Sequence, residues 1–337
     1  MNIQQAIASV VSKQDLSADD MTAVMRQIMT GEATPAQIGG FLIGLRMKGE
    51  TVDEIAAAAG VMRELATPVN LDTTHLVDVV GTGGDSSGTF NVSTASAIVA
   101  AAAGARVAKH GNRSASSKSG AADLLEAAGV NLDISPEKIA ECVNRVGVGF
   151  MFAVKHHGAM KHAIGPRKEM AARTIFNVLG PLTNPAGAPN QVLGVYAREL
   201  VEPIAQVLNK LGSRHVMVVQ ADDGMDEISV CSDTQVAELK DGKVSTYKIS
   251  PADFGMDVAA VDSIRVDGPE ASLAVIHGVL DNEPGPARDI VCLNAGATVY
   301  VAGLAESHTE GVAKVRGVIE SGAARATLDK LASLSNS

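Results

Sequence analysis

The residues best suited to chemistry lie in one stretch of the chain, between Val77 and Gly120. It holds a glycine-rich turn from Gly81 to Asp85, an Asn-Val-Ser-Thr sequence at 91–94, and a basic Gly/Ser-rich loop that begins at Lys109. Glycines let main-chain N–H groups converge on an anion, because no Cβ blocks the approach. The 91–94 sequence stands where a helix should begin, so its N–H groups and hydroxyls can bind a phosphate with help from the helix dipole. The stretch therefore predicts a phosphate-binding site.

The charges of this stretch support an anionic ligand. The segment between Asp85 and Asp123 has no acidic residue, although the chain has a net charge of −10, and it contains Arg106, Lys109, Arg113 and Lys118. Gly/Ser-rich loops are common in α/β proteins, and a single turn of this kind would be weak evidence. Several such loops, each after a short apolar run, favour a small and highly anionic ligand over that alternative.

Two adjacent carboxylates, Asp226 and Glu227, lie on a loop with Gly224 and are candidates for a metal site. Mg²⁺ prefers oxygen ligands and is typically shared between one or two carboxylates and substrate phosphates. Ser93 could add a hydroxyl oxygen. A solvated surface turn is the alternative interpretation, and the acidic pair alone does not exclude it.

Other ligand motifs are missing or incomplete. Neither a dinucleotide fingerprint nor a Walker A lysine follows the first predicted strand. No Cys or carboxylate stands at zinc-ligand spacing from His156, His157 and His162. The three cysteines are far apart, which fits a reducing cytosol better than a disulfide framework.

Composition excludes several classes of partner. Aromatic residues make up only 3% of the chain, and the acidic balance lacks the basic face that a nucleic-acid binder needs. The sequence shows no N-terminal signal. The most apolar window, Ala95–Gly104, is too short to span a bilayer. We therefore expect a soluble, cytoplasmic protein with no nucleic-acid or membrane partner.

The elements that must position these residues follow an α/β pattern. Short apolar runs alternate with helical patterns from residue 76 onward, which predicts a largely parallel sheet covered by helices. In such sheets, ligands bind beyond the carboxyl ends of the strands. The predicted strands are Leu76–Val80, Arg106–Ala108, Val148–Phe152, Val192–Tyr196, His215–Val219, Glu227–Cys231, Thr234–Lys240 and Lys243–Ile249. The predicted helices are Ser93–Ala103, Gly120–Ala128, Pro136–Val146, Val201–Leu211, Ala271–Leu280 and Ala313–Ser321.

The sequence pattern of about the first 70 residues predicts helices only. Capping sequences begin at Ser17, Thr34 and Thr51, the second with proline at the first helical position. The segment Ile38–Leu45 is apolar on nearly every side, so it should be buried, either in the core or between subunits. The tail Ser333–Ser337 is expected to be disordered.

The loops resemble those of one known family, the anthranilate phosphoribosyltransferases of tryptophan biosynthesis. The resemblance rests on the 81–85 turn, the 91–94 sequence and the Lys-His-Gly-Asn-Arg-Ser loop that begins at 109. It continues through 165–169, 173–185 and 224–228, so it covers nearly the whole chain in the family's order. It implies a helical domain at 1–72, joined by about 168–190, and an α/β domain at 73–167 and 191–337. It also implies a homodimer through the helical domain.

The resemblance implies a reaction and its site residues. Phosphoribosyl pyrophosphate (PRPP) and anthranilate would give N-(5-phosphoribosyl)anthranilate and pyrophosphate, with Mg²⁺ bound by Ser93, Asp226 and Glu227. Anthranilate would contact Gly81, His110, Asn112 and Arg167, the last of which could hold its carboxylate. No residue is assigned as a general acid or base. The donor would bind Gly81, Gly84, Asp85, Thr89, Asn91, Val92, Ser93, Thr94, Lys109, His110, Gly111, Asn112, Arg113, Ser114, Ala115, Ser116, Ser117 and Ala121.

The chain departs from the family's usual pattern at Ala121, where a serine is frequent, and at Gln220, where a histidine is frequent. Two rival functions share the general fold. A pyrimidine nucleoside phosphorylase would carry a Lys-x-Ser-Gly-Arg-Gly loop where Lys109–Arg113 stands. A non-enzymatic nucleic-acid-binding relative would need a basic face, against which the net charge argues.

Overall fold

The computed structural model describes residues 1–85, 87–113 and 120–337. The predicted donor-binding residues Ser114, Ala115, Ser116 and Ser117 lie outside the described residues. Within the described part, no helix is both long and apolar enough to cross a lipid bilayer.

Four helices form an N-terminal bundle: α1 (Ile3–Val11), α2 (Ala18–Thr30), α3 (Pro35–Lys48) and α4 (Val52–Leu65). The predicted caps are confirmed, since the side chains of Ser17, Thr34 and Thr51 each accept a hydrogen bond from an N–H of the following first turn. Helix α3 packs closely on α1, because a Cβ on Gly44 would lie 2.7 Å from Val10. Met47 on α3 and the neighbouring Val11 remain exposed.

Seven strands form one sheet in the order β3-β2-β1-β4-β5-β6-β7. The first five run parallel, while β5, β6 and β7 pair antiparallel. The β6–β7 hairpin turns at Asp241 and Gly242, both with positive φ, as the sequence predicts. The strands are β1 (Leu76–Gly81), β2 (Arg106–Gly111), β3 (Val148–Phe152), β4 (Asn190–Gly194), β5 (His215–Ala221), β6 (Thr234–Lys240) and β7 (Lys243–Ile249). The predicted fold class is confirmed.

Helices cover both faces of the sheet. The α-helices that follow β1 are α5 (Val92–Ala102), α6 (Ala121–Ala127), α7 (Pro136–Val146), α8 (Ala153–His156), α9 (Lys161–Met170), α10 (Phe176–Leu179), α11 (Val201–Lys210), α12 (Pro269–Leu280), α13 (Pro286–Val301), α14 (His308–Glu320) and α15 (Ala323–Ser335). One core contains α5 and α12 to α15. A second core combines α11 with the N-terminal bundle, and it includes Ile175, Phe176, Leu179 and Leu182. A third, smaller core lies around Leu76, Ala108 and Met151. The 168–190 segment thus packs with the N-terminal helices, while the proposed domain boundaries stay a prediction.

Several local predictions are wrong. Strand β2 continues to Gly111, three residues beyond its predicted end, and α14 begins at His308, five residues before its predicted start. Residues 227–231 form a loop instead of a strand, because the Asn294 side chain occupies the main-chain groups of Ile228. It accepts from the Ile228 N–H at 2.9 Å and donates to the Ile228 carbonyl at 2.8 Å. Strand β4 begins two residues earlier than predicted, at Asn190, whose buried side chain donates to the Leu76 carbonyl. The C-terminal tail is ordered, since α15 reaches Ser335 and the buried Ser335 hydroxyl accepts from the Asn131 N–H.

Candidate active site

The glycine-rich turn lies where the direction of the chain's crossovers changes. From β1 the chain builds outward through β2 and β3, and then returns to place β4 on the other side of β1. Gly81 and Gly194 end these two neighbouring strands and pair in register. Ligands of open parallel sheets bind at such a switch point. We call this region the β1–β4 site.

Asp226 lies directly across the ends of both strands. A Cβ on Gly194 would lie 1.6 Å from the Asp226 carbonyl oxygen, and a Cβ on Gly81 would lie 2.3 Å from its carboxylate oxygen Oδ2. The contact with Gly194 involves backbone atoms, so no rotamer change can relieve it. The two glycines therefore allow the acidic loop to reach the sheet.

The glycine turn is fixed by hydrogen bonds from two directions. The Gly83 N–H donates to Asp226 Oδ2 at 2.7 Å, with Gly83 and Gly84 in the left-handed conformation that favours glycine. On the other side, the Arg173 guanidinium donates to the Gly84 carbonyl at 2.5 Å and lies 4.2 Å above the ring of Tyr196. These contacts join the turn both to the acidic loop and to the 168–190 segment.

The predicted metal ligands come together in this site. Asp226 is buried and Glu227 is partly buried, and the Glu227 carboxylate accepts from the Ser93 N–H. Burial raises the pKa of both carboxyls, and charge repulsion adds to it, from Asp85 on Asp226 and from Asp226 on Glu227. Asp85 itself accepts from the Ser87 N–H at 3.3 Å, as in a turn-stabilising aspartate. Clustered oxygen donors of like charge suit a hard cation such as Mg²⁺.

Lys109 lies beneath the site and is only 2% exposed. Its ammonium group donates to the Val79 carbonyl at 2.7 Å and to the Ser93 hydroxyl at 3.2 Å. Burial lowers the pKa of Lys109, while the negative charges of Asp78 and Glu227 oppose that effect. Lys109 thus supports the Ser93 side chain from below.

Some of the N–H groups at the start of helix α5, which could bind an anion, already have partners within the protein. The Asn91 side chain caps the helix by accepting from the Thr94 N–H at 3.0 Å, and the Ser93 N–H binds Glu227. The Thr94 hydroxyl is buried without a hydrogen-bond partner. Thr89 precedes the helix and forms an isolated bridge with Arg265. A phosphate that uses the Ser93 N–H therefore competes with Glu227 for it.

Arg113, in the described part of the basic loop, is partly neutralised by acidic residues, a pairing that the sequence alone does not show. Arg113 forms ion pairs with Asp123 at 2.9 Å and with Glu126 on α6 at 2.5 Å. The Asn112 carbonyl accepts from the Ala122 N–H at 3.3 Å. At Gly111, a Cβ would meet the Phe150 ring at 2.9 Å and Ala121 at 3.3 Å. Arg113 is thus held against α6 in this conformation.

The anthranilate candidates differ in their surroundings. Arg167 lies in α9, half-buried, with its guanidinium 5.2 Å above the Phe176 ring. It forms no ion pair with any described carboxylate, and burial lowers its pKa. His110 is buried, and its Nε2 lies 3.2 Å from Nε2 of His157. Burial lowers the pKa of His110 to about 3 and that of His157 to about 4, so both rings are neutral at neutral pH.

Asp78 is a supporting residue that sequence reasoning missed. It is fully buried in β1, where its carboxylate accepts from the His110 N–H at 3.2 Å and from the Asn184 side chain at 2.8 Å. Burial raises the pKa of Asp78 to about 6. Its signal is an acidic residue within an otherwise apolar strand, which calls for buried partners. Arg173 gave no comparable signal, because nothing in the sequence indicates its contact with Gly84.

The structure brings Gly81, Ser93, Lys109, Asp226 and Glu227 close together. In the part of the chain that is described, no three or more His, Cys, Asp or Glu side chains form a metal-binding group. The proposed metal set is smaller, with two carboxylates and one hydroxyl. A metal there would take its remaining ligands from water and substrate phosphates.

Comparison with known proteins places these features in a family. Residues 73–325 match the model of the glycosyl transferase family, a/b domain, and residues 4–66 match the helical bundle domain of the same family. The anthranilate phosphoribosyltransferase of Thioalkalivibrio sulfidiphilus is 66% identical over 337 residues, which is 100% of both chains.

Solved structures agree with the sequence relatives. The crystal structure of anthranilate phosphoribosyltransferase from Thermus thermophilus is 42% identical, with a TM-score of 0.94 over 98% of this chain and 99% of that one. The Saccharomyces cerevisiae enzyme in complex with PRPP and Mg is 26% identical, with a TM-score of 0.89 over 99% of this chain and 98% of that one.

Proposed function

This chain belongs to the anthranilate phosphoribosyltransferase family, and we propose that it binds its phosphoribosyl donor in the β1–β4 site. It transfers the phosphoribosyl group of PRPP to the amine of anthranilate, which gives N-(5-phosphoribosyl)anthranilate and pyrophosphate. The observation that supports the location best is the contact of Asp226 with both Gly81 and Gly194, because it places an acidic loop against a glycine turn at the switch point.

Asp226, Glu227 and the Ser93 hydroxyl would hold Mg²⁺ together with the donor. The donor set fits, since these are oxygen ligands whose mutual repulsion a cation relieves. Bound Mg²⁺ supplies positive charge that stabilises the departing pyrophosphate. The glycine turn would bind phosphate oxygens through N–H groups other than those of Thr82 and Gly83, which donate to Gly194 and Asp226. Lys109 keeps the Ser93 hydroxyl in place from below.

The chemical step exchanges one bond at the anomeric carbon for another. The bond from ribose C1 to the pyrophosphate oxygen breaks with its electron pair, and the anthranilate nitrogen uses its lone pair to bond to C1. The nitrogen then releases one proton to solvent. The amine needs placement more than activation, so the chain's main task is to hold both substrates in line and to stabilise the leaving anion.

Anthranilate would bind with its carboxylate at Arg167. This guanidinium has no carboxylate partner among the described residues and lies over an aromatic ring, so it offers a charge beside an apolar wall. His110, Asn112 and Gly81 remain its other predicted contacts. Since His110 is neutral and shares a hydrogen bond with His157, it can donate or accept without adding charge.

Arg113 would bind the donor only after a change of partner. In the structure it is held by Asp123 and Glu126. These are exposed ion pairs, which contribute little to stability. A polyphosphate can therefore compete for this guanidinium at small cost.

A homodimer is a further part of the proposal. Val11 is 67% exposed and Met47 is 76% exposed on adjoining helices of the bundle. A second copy that covers α1 and α3 would remove this apolar surface from water. A cytoplasmic location remains a prediction from the sequence.

The assay that tests the function follows anthranilate fluorescence. It should fall when PRPP and Mg²⁺ are added together, and chelation of the metal should stop the decrease. Thymidine with phosphate tests the nucleoside phosphorylase alternative, and an oligonucleotide tests the nucleic-acid alternative. Cleavage of thymidine without any consumption of anthranilate would overturn the proposal.

A further inference from the structure

A cavity outside the β1–β4 site is lined by charged residues that the transfer reaction does not use. Its volume is about 230 Å³, and its lining residues are Asn282, Arg288, Arg316 and Glu320. Arg288 lies in the first turn of α13, while Arg316 and Glu320 lie one turn apart on α14. Drug-sized ligands usually occupy about 300–1,000 Å³, so the size of this cavity suits a smaller molecule.

Neither guanidinium group has an ion-pair partner among the described residues. Arg288 donates to the Asn282 side chain at 3.0 Å, but its Nε–H is buried without an acceptor among the described residues. Arg316 donates a long hydrogen bond of 3.5 Å to the Phe254 carbonyl and a further hydrogen bond to the Cys292 side chain. Neither forms an ion pair with a described carboxylate, even though Glu320 lines the same cavity. A buried N–H without an acceptor is costly, which indicates that an acceptor is missing.

The nearby thiol of Cys292 does not supply a negative charge. Cys292 lies near Arg316, and burial raises the pKa of its thiol to about 11, so the sulfur stays neutral at neutral pH. Elsewhere the chain does pair its arginines, as in the Arg26–Glu64 and Arg325–Asp281 ion pairs. The two arginines of the cavity, like Arg167, have no such ion pair with a described carboxylate.

We propose that this cavity is a second anion site, in which Arg288 and Arg316 bind a small phosphate dianion apart from the β1–β4 site. Guanidinium groups present paired N–H donors that match oxyanions. A phosphate has enough oxygens to accept hydrogen bonds from both guanidinium groups at once. A monocarboxylate has only two oxygens, and a single guanidinium group can donate to both of them. The Glu320 carboxylate opposes binding by charge repulsion.

Calorimetry with inorganic phosphate tests the site at constant ionic strength and without Mg²⁺. The proteins compared are the wild type, Arg288→Gln, Arg316→Gln, Glu320→Gln and, as a control, Lys314→Gln. Lys314 is exposed on the same helix as Arg316, so its loss changes the net charge equally without touching the cavity. Phosphate that binds in the β1–β4 site contributes to all five isotherms and cancels in the comparison.

Each arginine variant should weaken one class of phosphate site by about tenfold or more, as expected from the loss of charge-assisted hydrogen bonds. Lys314→Gln should match the wild type, and Glu320→Gln should bind phosphate more tightly. Retained anthranilate turnover shows that each variant is folded. Equal weakening in Lys314→Gln, an unchanged isotherm in both arginine variants, weaker binding in Glu320→Gln, or tighter binding of acetate than of phosphate would each overturn the proposal.

Discussion

Replacing Gly194 by alanine tests the geometry of the β1–β4 site most directly. The new Cβ would lie 1.6 Å from the Asp226 carbonyl oxygen and 2.4 Å from its carbonyl carbon. Carbon and oxygen atoms that are not bonded stay about 3.3 Å apart even in close contacts. The acidic loop or strand β4 must therefore move by about 1.7 Å, and the obstruction is backbone.

A displacement of this size should disable the site without unfolding the chain. A misplacement of about 1 Å can cost about 100-fold in rate, so kcat/KM for PRPP should fall by at least about 100-fold in Gly194→Ala. The accompanying overpacking should cost about 1–3 kcal/mol of stability. Anthranilate fluorescence measures the rate over a Mg²⁺ titration, and thermal unfolding monitored by circular dichroism measures the stability.

Gly317→Ala is the matched control. A Cβ at Gly317 meets nothing within 4 Å, and this glycine lies inside α14. Activity should stay unchanged, and stability should rise by about 0.5–1 kcal/mol because alanine favours a helix over glycine. If Gly194→Ala keeps a kcat/KM close to that of the wild type, then Asp226 does not need its observed position and the assignment of this site is refuted.

Three further predictions concern binding, the metal and pH. Arg167→Ala should raise the KM for anthranilate much more than that for PRPP, because the half-buried guanidinium is proposed to hold the anthranilate carboxylate; steady-state kinetics with each substrate varied in turn measures both. The double change of Asp226→Asn and Glu227→Gln should abolish Mg²⁺-dependent turnover and leave the fold intact, as followed by fluorescence and circular dichroism. Burial alone would raise the pKa of Glu238, but hydrogen bonds from His215, Tyr300 and Tyr247 hold it at about 2, below the ordinary value of 4.5. As the pH falls, the Glu238 carboxylate is therefore protonated in the unfolded chain before it is protonated in the folded one. The stabilisation that ionised Glu238 contributes is complete above about pH 4.5 and is lost as the pH falls toward 2. Chemical unfolding of the wild type and Glu238→Gln across this range should show their difference shrinking as the pH falls.

Each of these predictions has its own contrary result. Equal changes in the two KM values would count against Arg167 as the anthranilate ligand, with exposed Arg145→Ala as a control for lost charge. Asp222→Asn removes an exposed acid just upstream of Asp226 and should keep Mg²⁺-dependent activity. A constant stability difference between the wild type and Glu238→Gln down to low pH would show that Glu238 has no depressed pKa.

Local chemistry in the sequence determined much of this protein. The caps at Ser17, Thr34 and Thr51, the Asp241–Gly242 turn and most strands follow from short-range patterns, because caps and turns are satisfied within a few residues. The glycine turn and the acidic pair could be predicted as site components for the same reason. The resemblance to a known family followed from the residue sequences of the loops and from their order along the chain.

Only the tertiary structure decided how these parts meet. Several contacts of the site join segments that are far apart in the chain. Gly194 contacts Asp226, Lys109 donates to the Ser93 hydroxyl, and Arg173 donates to the Gly84 carbonyl. No local pattern encodes them, because they depend on which strands become neighbours in the sheet. The loop at 227–231 shows the same limit, since its apolar alternation predicts a strand. A side chain on distant helix α13, Asn294, takes its main-chain hydrogen bonds instead.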